Sequence, residues 1–182
     1  LPLDNCGDLK LNPAGTQLYI CDTDRNCVYS IPAPSPATIA GGGFSSSAAQ
    51  DVTRVLGNPG RAGFLDLTVS GVLYPDIHTV NAGVAESVGP NIQVLLNAPT
   101  SIEFTPAGDL LVADTSRIRM LSGGQVYTIA GGVDSGYLGG DSRLAYYLNT
   151  SAMRYSAAEQ NLIVTDKTLN IVRRLWTKRG FL

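Results

Sequence analysis

The feature that most constrains this chain is a segment that occurs three times along it. The best copy occupies residues 95–132 and contains the run LNAPTSIEFTPAGDLLVADTSRIRMLSGGQVYTIAGG, which starts at residue 96. Related copies occupy about residues 5–42 and 148–182. A repeat of this length is usually one supersecondary unit that cannot bury its apolar face alone and stacks on its neighbours. The repeat therefore predicts a modular architecture.

Each copy divides into four short strands separated by turns. Residues 101–104 alternate apolar with polar side chains, as a strand does. Residues 110–113 are continuously apolar, which indicates a strand covered on both faces. The chain has 20 glycines and 10 prolines, and these residues favour short strands and tight turns. We therefore predict an all-β fold of β-propeller blades, each with four antiparallel strands.

The motifs LNAPTSI, LLVADT, the Ile-Arg strand and the closing AGG resemble the NHL repeat family of β-propellers. The resemblance is good for residues 95–182, fair for 9–42 and poor between them, and the Asn-His-Leu triplet that names the family is absent. It implies that the usual binding surface is the face that carries the turn after each second strand.

The number of blades is small for a closed ring. Residues 43–94 form either an irregular insertion or a degenerate blade, and the outer strand of the first blade is either 37–41 or 52–56. Propellers have roughly four to eight blades. We therefore expect residues 1–182 to be a single partial propeller. It would be completed by more repeats of a longer protein or by self-association of two half-rings.

Several cations and aromatic residues fall on the face expected to bind. Three basic residues lie at or near the turn after a second strand, and three tyrosines lie in the glycine-rich linker before the last copy. Grouped aromatic and basic side chains are typical of contact surfaces. The candidate binding residues are Arg25, Arg117, Lys167, Tyr137, Tyr146 and Tyr147.

An aspartate recurs where each second strand ends, at Asp22, Asp114 and Asp166. Such carboxylates cap the turn that follows, or they form a ring that binds a cation. We predict the capping role. On the third strands we expect the guanidinium groups of Arg119, Arg173 and Arg174 to reach water.

The three cysteines give alternatives for the compartment. Cys21 and Cys27 flank a turn, so they are candidates for a disulfide, which would indicate an oxidising compartment. Together with Cys6 they could instead begin a zinc site or remain buried thiols. Asn149 begins a glycosylation sequon. These features favour an extracellular or cell-surface protein, with the cytoplasm as the alternative.

Composition and motifs argue against several classes of function. The net charge of −2 gives no basic excess for nucleic acid, and no apolar run reaches the length of a membrane span. The single histidine, His78, is a poor start for a metal site or a catalytic triad. We predict a non-catalytic binding or scaffolding module for a protein partner, without cofactor or metal. The alternatives are a propeller lyase or hydrolase whose catalytic residues lie outside this chain, and an RNA-binding NHL module.

Overall fold

The computed structural model describes residues 3–33, 52–63, 94–131 and 149–176. Within these ranges every regular element is a strand. The described residues therefore contain no helix long and apolar enough to cross a membrane. The eleven strands are β1 (Cys6–Leu11), β2 (Gln17–Asp22), β3 (Cys27–Pro32), β4 (Thr53–Gly57), β5 (Pro99–Phe104), β6 (Leu110–Asp114), β7 (Arg117–Ser122), β8 (Gln125–Gly131), β9 (Thr150–Ser156), β10 (Asn161–Asp166) and β11 (Ile171–Trp176).

The strands form three antiparallel sheets in which hydrogen-bonded neighbours are also neighbours along the chain. β1 to β4 make the first blade, β5 to β8 the second and β9 to β11 the third. The first two blades have the four strands that the sequence predicts, and the third has three strands within the described residues. The predicted all-β architecture of repeated antiparallel units is therefore confirmed.

The outer strand of the first blade is β4, which confirms the second of the two sequence candidates, residues 52–56. In β4, Leu56 lies opposite Val28 of β3. The other candidate, residues 37–41, lies outside the described residues. The first blade therefore does not end at residue 42, because it takes its fourth strand from the range 43–94, which the sequence predicts to be irregular.

A glycine ends the fourth strand in both complete blades because no side chain fits there. Gly57 and Gly131 have φ angles of 88° and 85°, in the left-handed region that side chains rarely adopt. A Cβ atom on Gly57 would lie 2.0 Å from the carbonyl oxygen of Asn26, and one on Gly131 would lie 2.1 Å from that of Ser116. The glycine thus lets the outer strand approach the turn before the third strand.

Apolar side chains fill the two spaces between neighbouring blades. Strand β6 contributes side chains to both spaces. Leu110 and Val112 point toward the first blade, whereas Leu111 and Ala113 point toward the third. The apolar run at residues 110–113 is therefore covered on both faces, as predicted. Each buried side chain of this size contributes roughly 1.5–3 kcal/mol through the area removed from water, so stacking is a large part of what stabilises each blade.

Candidate binding surface

The turn between the second and third strands of each blade lies beside the segment that leads into the first strand. The N–H group of Thr23 donates to the carbonyl of Asn5 at 2.8 Å, and that of Lys167 donates to the carbonyl of Asn149 at 3.0 Å. In the second blade the hydroxyl group of Thr115 donates to the carbonyl of Asn97. These turns and the connections between blades thus occupy one end of the blades. We name this surface the turn end: residues 22–27, 114–117 and 166–171.

Two of the three recurrent aspartates cap their turns. Oδ1 of Asp22 accepts the N–H group of Arg25 at 3.2 Å. Oδ1 of Asp166 accepts the N–H groups of Thr168 and Leu169, both at 3.1 Å. Both carboxylates are buried, and these bonds replace hydrogen bonds to water. The capping role is therefore confirmed for Asp22 and Asp166.

Asp114 differs because its carboxylate pairs with a buried arginine. NH1 of Arg119 donates to Oδ2 of Asp114 at 3.0 Å and to the carbonyl of Leu95 at 3.1 Å. The other carboxylate oxygen accepts the N–H group of Asn97. Burial raises the pKa of Asp114 to about 6, and the positive charge of Arg119 opposes this rise. Asp114 and Arg119 thus hold the segment that enters the second blade.

The burial of Arg119 corrects the expectation that its guanidinium reaches water. Arg119 lies opposite Val112 in the ladder, on the face of the second blade that packs against the first blade, and its side chain has no exposed area. The sequence held one signal for this burial, which is the position of Arg119 between the apolar residues Ile118 and Met120.

The hydrogen bonds of the recurrent aspartates argue against the alternative that these carboxylates form a ring that binds a cation. Their oxygens accept N–H groups or pair with arginine, as described above. Within the described ranges there is no group of three or more His, Cys, Asp or Glu side chains that could hold a metal ion. The contacts therefore support a structural role for the aspartates.

The structure separates the three cations of the predicted surface. Nε of Arg25 donates to Oδ2 of Asp4 at 2.9 Å, so its charge is partly neutralised at the turn end. Lys167 is exposed. Arg117 is only 4% exposed, so it is corrected from a contact residue to a buried one. The other candidates, Tyr137, Tyr146 and Tyr147, lie outside the described residues.

The turn end also joins neighbouring blades. Oγ1 of Thr23 donates to the carbonyl of Pro99 at 2.8 Å, at the start of the second blade. The N–H group of Thr150, at the start of the third blade, donates to the carbonyl of Thr115 at 2.9 Å. The turns of the first two blades are therefore each fixed by the blade that follows, and stacking sets the shape of this part of the surface.

A row of charged side chains crosses the first strands of the three blades. Nζ of Lys10 lies 2.7 Å from Oε1 of Glu103, and NH1 of Arg154 lies 3.5 Å from Oε2 of the same carboxylate. We name Lys10, Glu103 and Arg154 the charged row. The sequence does not predict this row by local pattern, because its members are far apart along the chain. Their common place in the segments LKL, IEF and MRY is the signal that could have revealed it.

The register of β2 and β3 overturns the proposed Cys21–Cys27 disulfide. Cys21 lies opposite Val28, and Cys27 lies opposite Asp22. Because successive side chains of a strand point to opposite faces, the two thiols are on different faces of the blade. All three cysteines are free, and burial raises the pKa of the Cys21 and Cys27 thiols, so these two are protonated at neutral pH.

The sequon at Asn149 lies where the chain enters the third blade. Asn149 is half-buried and binds Lys167 through its backbone carbonyl, and the Ser151 hydroxyl lies 2.9 Å from that of Thr165. Glycosylation at Asn149 stays a prediction.

No protein-family model matches the chain, and the comparison with curated proteins gives no match. Solved structures with a similar fold include an auxiliary nutrient binding protein from Bacteroides thetaiotaomicron, with TM-score 0.64 and 19% identity over 91% of this chain and 36% of that chain. An auxiliary nutrient binding protein from Bacteroides ovatus has a TM-score of 0.65 and 18% identity, over 91% of this chain and 36% of that chain. A structural genomics protein of unknown function from Bacteroides thetaiotaomicron has a TM-score of 0.66 and 16% identity, over 91% of this chain and 34% of that chain.

These likenesses bear on the fold. Together with the three stacked antiparallel sheets they show that the chain consists of β-propeller blades, in an arrangement consistent with an incomplete propeller. The chain spans 36% of the length of the two nutrient binding proteins.

Proposed function

We propose that this chain is a non-catalytic binding or scaffolding module of NHL type that engages a protein partner through the turn end. The observation that carries the proposal is that the ionisable groups of the turn end form hydrogen bonds and ion pairs within the protein. Asp22 and Asp166 cap turns, Asp114 pairs with Arg119, and Arg25 pairs with Asp4. These contacts fix the shape of a surface and leave the charges engaged in structural roles.

The side chains that remain exposed on this surface suit a protein partner. Lys167, Thr168 and Asn170 are exposed in the third blade, and Asp24 is exposed in the first. Their charges are of both signs, and such a polar, mixed surface is typical of protein interfaces outside their core. RNA binding would instead call for a basic excess that releases counterions from phosphates. The buried Arg117 and the paired Arg25 weaken that alternative.

The similar solved structures add support for binding as the class of function. Two of them are described as auxiliary nutrient binding proteins. Fold alone does not determine function, so this likeness supports binding without naming a ligand. An extracellular or cell-surface location remains part of the proposal. The sequon at Asn149 supports it, but the cysteines no longer do, because they are free.

A photocrosslinking experiment tests the proposal. A photoreactive amino acid is placed at Lys167, on the turn end, and separately at Ala107, an exposed turn residue at the opposite end of the second blade. Extract from the source cells is irradiated with each protein, and adducts are identified by mass spectrometry. We expect a discrete protein adduct from position 167 that excess unlabelled chain competes away, and none from position 107.

Three results would overturn the proposal. Equal adducts from positions 167 and 107 would show that the turn end has no special role. RNA crosslinked at position 167, with retention on filters that falls steeply with salt, would favour the RNA-binding alternative. A stoichiometric metal together with turnover of a substrate by the intact protein would favour the enzyme alternative.

A further inference from the structure

The glycosylation sequon lies at the start of a strand and not in a loop. Its three residues are Asn149, Thr150 and Ser151, and strand β9 begins at the second of them. Sequons that accept a glycan ordinarily stand in surface loops, where a transferase can reach the asparagine. Here Asn149 is half-buried, and Thr150 has no exposed area. The fold therefore encloses a sequence that a transferase would otherwise recognise.

Hydrogen bonds hold the sequon backbone on both sides. The N–H group of Lys167, in the turn that follows β10, donates to the carbonyl of Asn149 at 3.0 Å. In the second blade, the carbonyl of Thr115 accepts both the N–H group and the hydroxyl of Thr150, at 2.9 and 2.8 Å. The hydroxyl of Thr100 donates to the carbonyl of Thr150 at 2.6 Å. The sequon thus belongs to the junction between the second and third blades.

The hydroxyl that glycan transfer requires is also occupied. Ser151 supplies this hydroxyl, because the third residue of a sequon must be serine or threonine. Its Oγ lies 2.9 Å from Oγ1 of Thr165, on strand β10. Before a transferase can bind this hydroxyl together with the Asn149 amide, the start of β9 must separate from β10 and from the second blade. The folded third blade therefore blocks the reaction at three consecutive residues.

We propose that Asn149 accepts a glycan only before the third blade docks on the second, so that glycosylation at this site competes with folding. In the reaction, the amide nitrogen of Asn149 displaces a lipid diphosphate from the first carbon of a lipid-linked oligosaccharide. One N–C bond forms, one C–O bond breaks, and the nitrogen gives a proton to a carboxylate of the transferase. Its occurrence in the cell rests on the extracellular or cell-surface location proposed above. The competition itself follows from the contacts of the sequon.

Protein synthesis leaves a short interval for the reaction. The strands that complete the described part of the third blade, β10 and β11, end at Trp176. A ribosome that adds about 5–20 residues per second makes them roughly 1–5 s after the sequon. Once they are made, the contacts of Thr150 and Ser151 can form. Conditions that slow the folding of the third blade should therefore raise the modified fraction.

Glycan transfer to a refolding chain tests the competition. The 182-residue chain is diluted from urea into a reaction with purified oligosaccharyltransferase and a lipid-linked oligosaccharide. In one arm the transferase is present at dilution, and in the other it is added after refolding is complete. Mass spectrometry of the digested protein measures modification at Asn149. We expect at least about tenfold more modified Asn149 in the first arm, because folded structure protects the site.

A second sequon in the same molecule provides the matched control. Ala14→Asn creates the sequence Asn-Gly-Thr with Gly15 and Thr16, in the exposed turn between β1 and β2. This turn stays accessible in the folded chain, so its modification should be similar in both arms. Comparing the two sites in one sample removes differences in transferase activity.

Two results of this experiment would overturn the proposal. If the refolded chain is modified at Asn149 as readily as at position 14, the fold does not protect the sequon. If Asn149 stays unmodified in both arms while position 14 is modified, the sequon is not an acceptor. Competition in vitro without a glycan on the protein isolated from its source cells would support the competition and contradict the proposed location.

A destabilised third blade should restore the reaction after refolding. Leu162 of β10 has no exposed area and packs between the second and third blades. Leu162→Ala leaves a cavity at this junction, so we expect at least about tenfold more modification at Asn149 than in the unchanged chain. Leu9→Ala, at an exposed residue of the first blade, should leave the modification unchanged. If Leu162→Ala is protected as well as the unchanged chain, the junction does not protect the sequon and the proposal is wrong.

Discussion

The first and second blades carry similar residues at matching places but bury them differently. Ile102 of the second blade has no exposed area, whereas Leu9, at the matching place in the first blade, is 61% exposed. The second blade packs on another blade at both faces, whereas the face of the first blade that carries Leu9 packs on no other blade among the described residues. The comparison teaches that the repeat sets which residue types occur, whereas the neighbouring blade sets how much each one stabilises the fold.

The same two blades differ at their recurrent aspartates. Arg119 lies opposite Val112 in the second blade, and Tyr29 lies opposite Ile20 at the matching place in the first. Asp114 therefore has a buried cation beside it. In the first blade a tyrosine stands at that place, and Asp22 is held by backbone N–H groups and by Arg25. The two carboxylates therefore differ because an arginine stands where the first blade has a tyrosine, and because the turn after Asp114 is two residues shorter than the turn after Asp22.

The largest effect is expected from removing the buried cation. Arg119→Ala leaves the Asp114 carboxylate in the interior without its partner, and we expect a loss of about 4 kcal/mol in the free energy of unfolding. Urea denaturation measures this loss. The control is Arg174→Ala, whose ion pair with Glu159 is about half exposed and should cost less than about 1 kcal/mol. Equal costs would remove the distinction drawn between the blades.

Truncation at matching places tests the difference in burial directly. Ile102→Ala should cost about 3 kcal/mol, because it opens a cavity between the first and second blades. Leu9→Ala should cost less than about 0.5 kcal/mol, because most of its side chain is already in water. Both costs are measured by urea denaturation. A large cost for Leu9→Ala under these conditions would contradict the comparison.

The pKa of Asp114 predicts a pH dependence. The pKa in the folded protein is about 6, above the usual value of 3.8, so the stability that this group contributes is full below about pH 4 and is lost as the pH rises through about 6. Relative to Asp114→Asn, the unchanged chain should lose roughly 2 kcal/mol between about pH 4.5 and about pH 7. Denaturation of both proteins across this range measures the effect, and parallel profiles would contradict it.

The last expected effect concerns the glycine that ends the fourth strand in both blades. Gly131 and Gly108 both have left-handed φ angles, but a Cβ atom on Gly108 would meet nothing within 4 Å. Gly108→Ala should cost about 1 kcal/mol from backbone strain. Gly131→Ala should cost at least about 1 kcal/mol more, because the carbonyl of Ser116 must move. Gly57→Ala in the first blade should resemble Gly131→Ala, and thermal denaturation measures all three.

The sequence predicted much of the fold because the fold repeats a local pattern. Alternation in residues 101–104 and the apolar run at 110–113 predicted strands that the structure contains. The candidate site was predicted less well. Arg117 is buried, and the Cys21–Cys27 pair is one position out of register. A shift of one position reverses the face of a side chain, and turn residues alone did not fix the register.

The sequence by itself determined the period of the repeat, the antiparallel strands and the turn residues, since these depend on neighbours along the chain. The tertiary structure decided which faces are covered, that Arg119 lies inside, and that Lys10, Glu103 and Arg154 form one row. Those outcomes depend on which blade packs against which, and a single blade does not encode its neighbours. Burial and electrostatic pairing are properties of a junction between blades, so they emerge only when the blades are stacked.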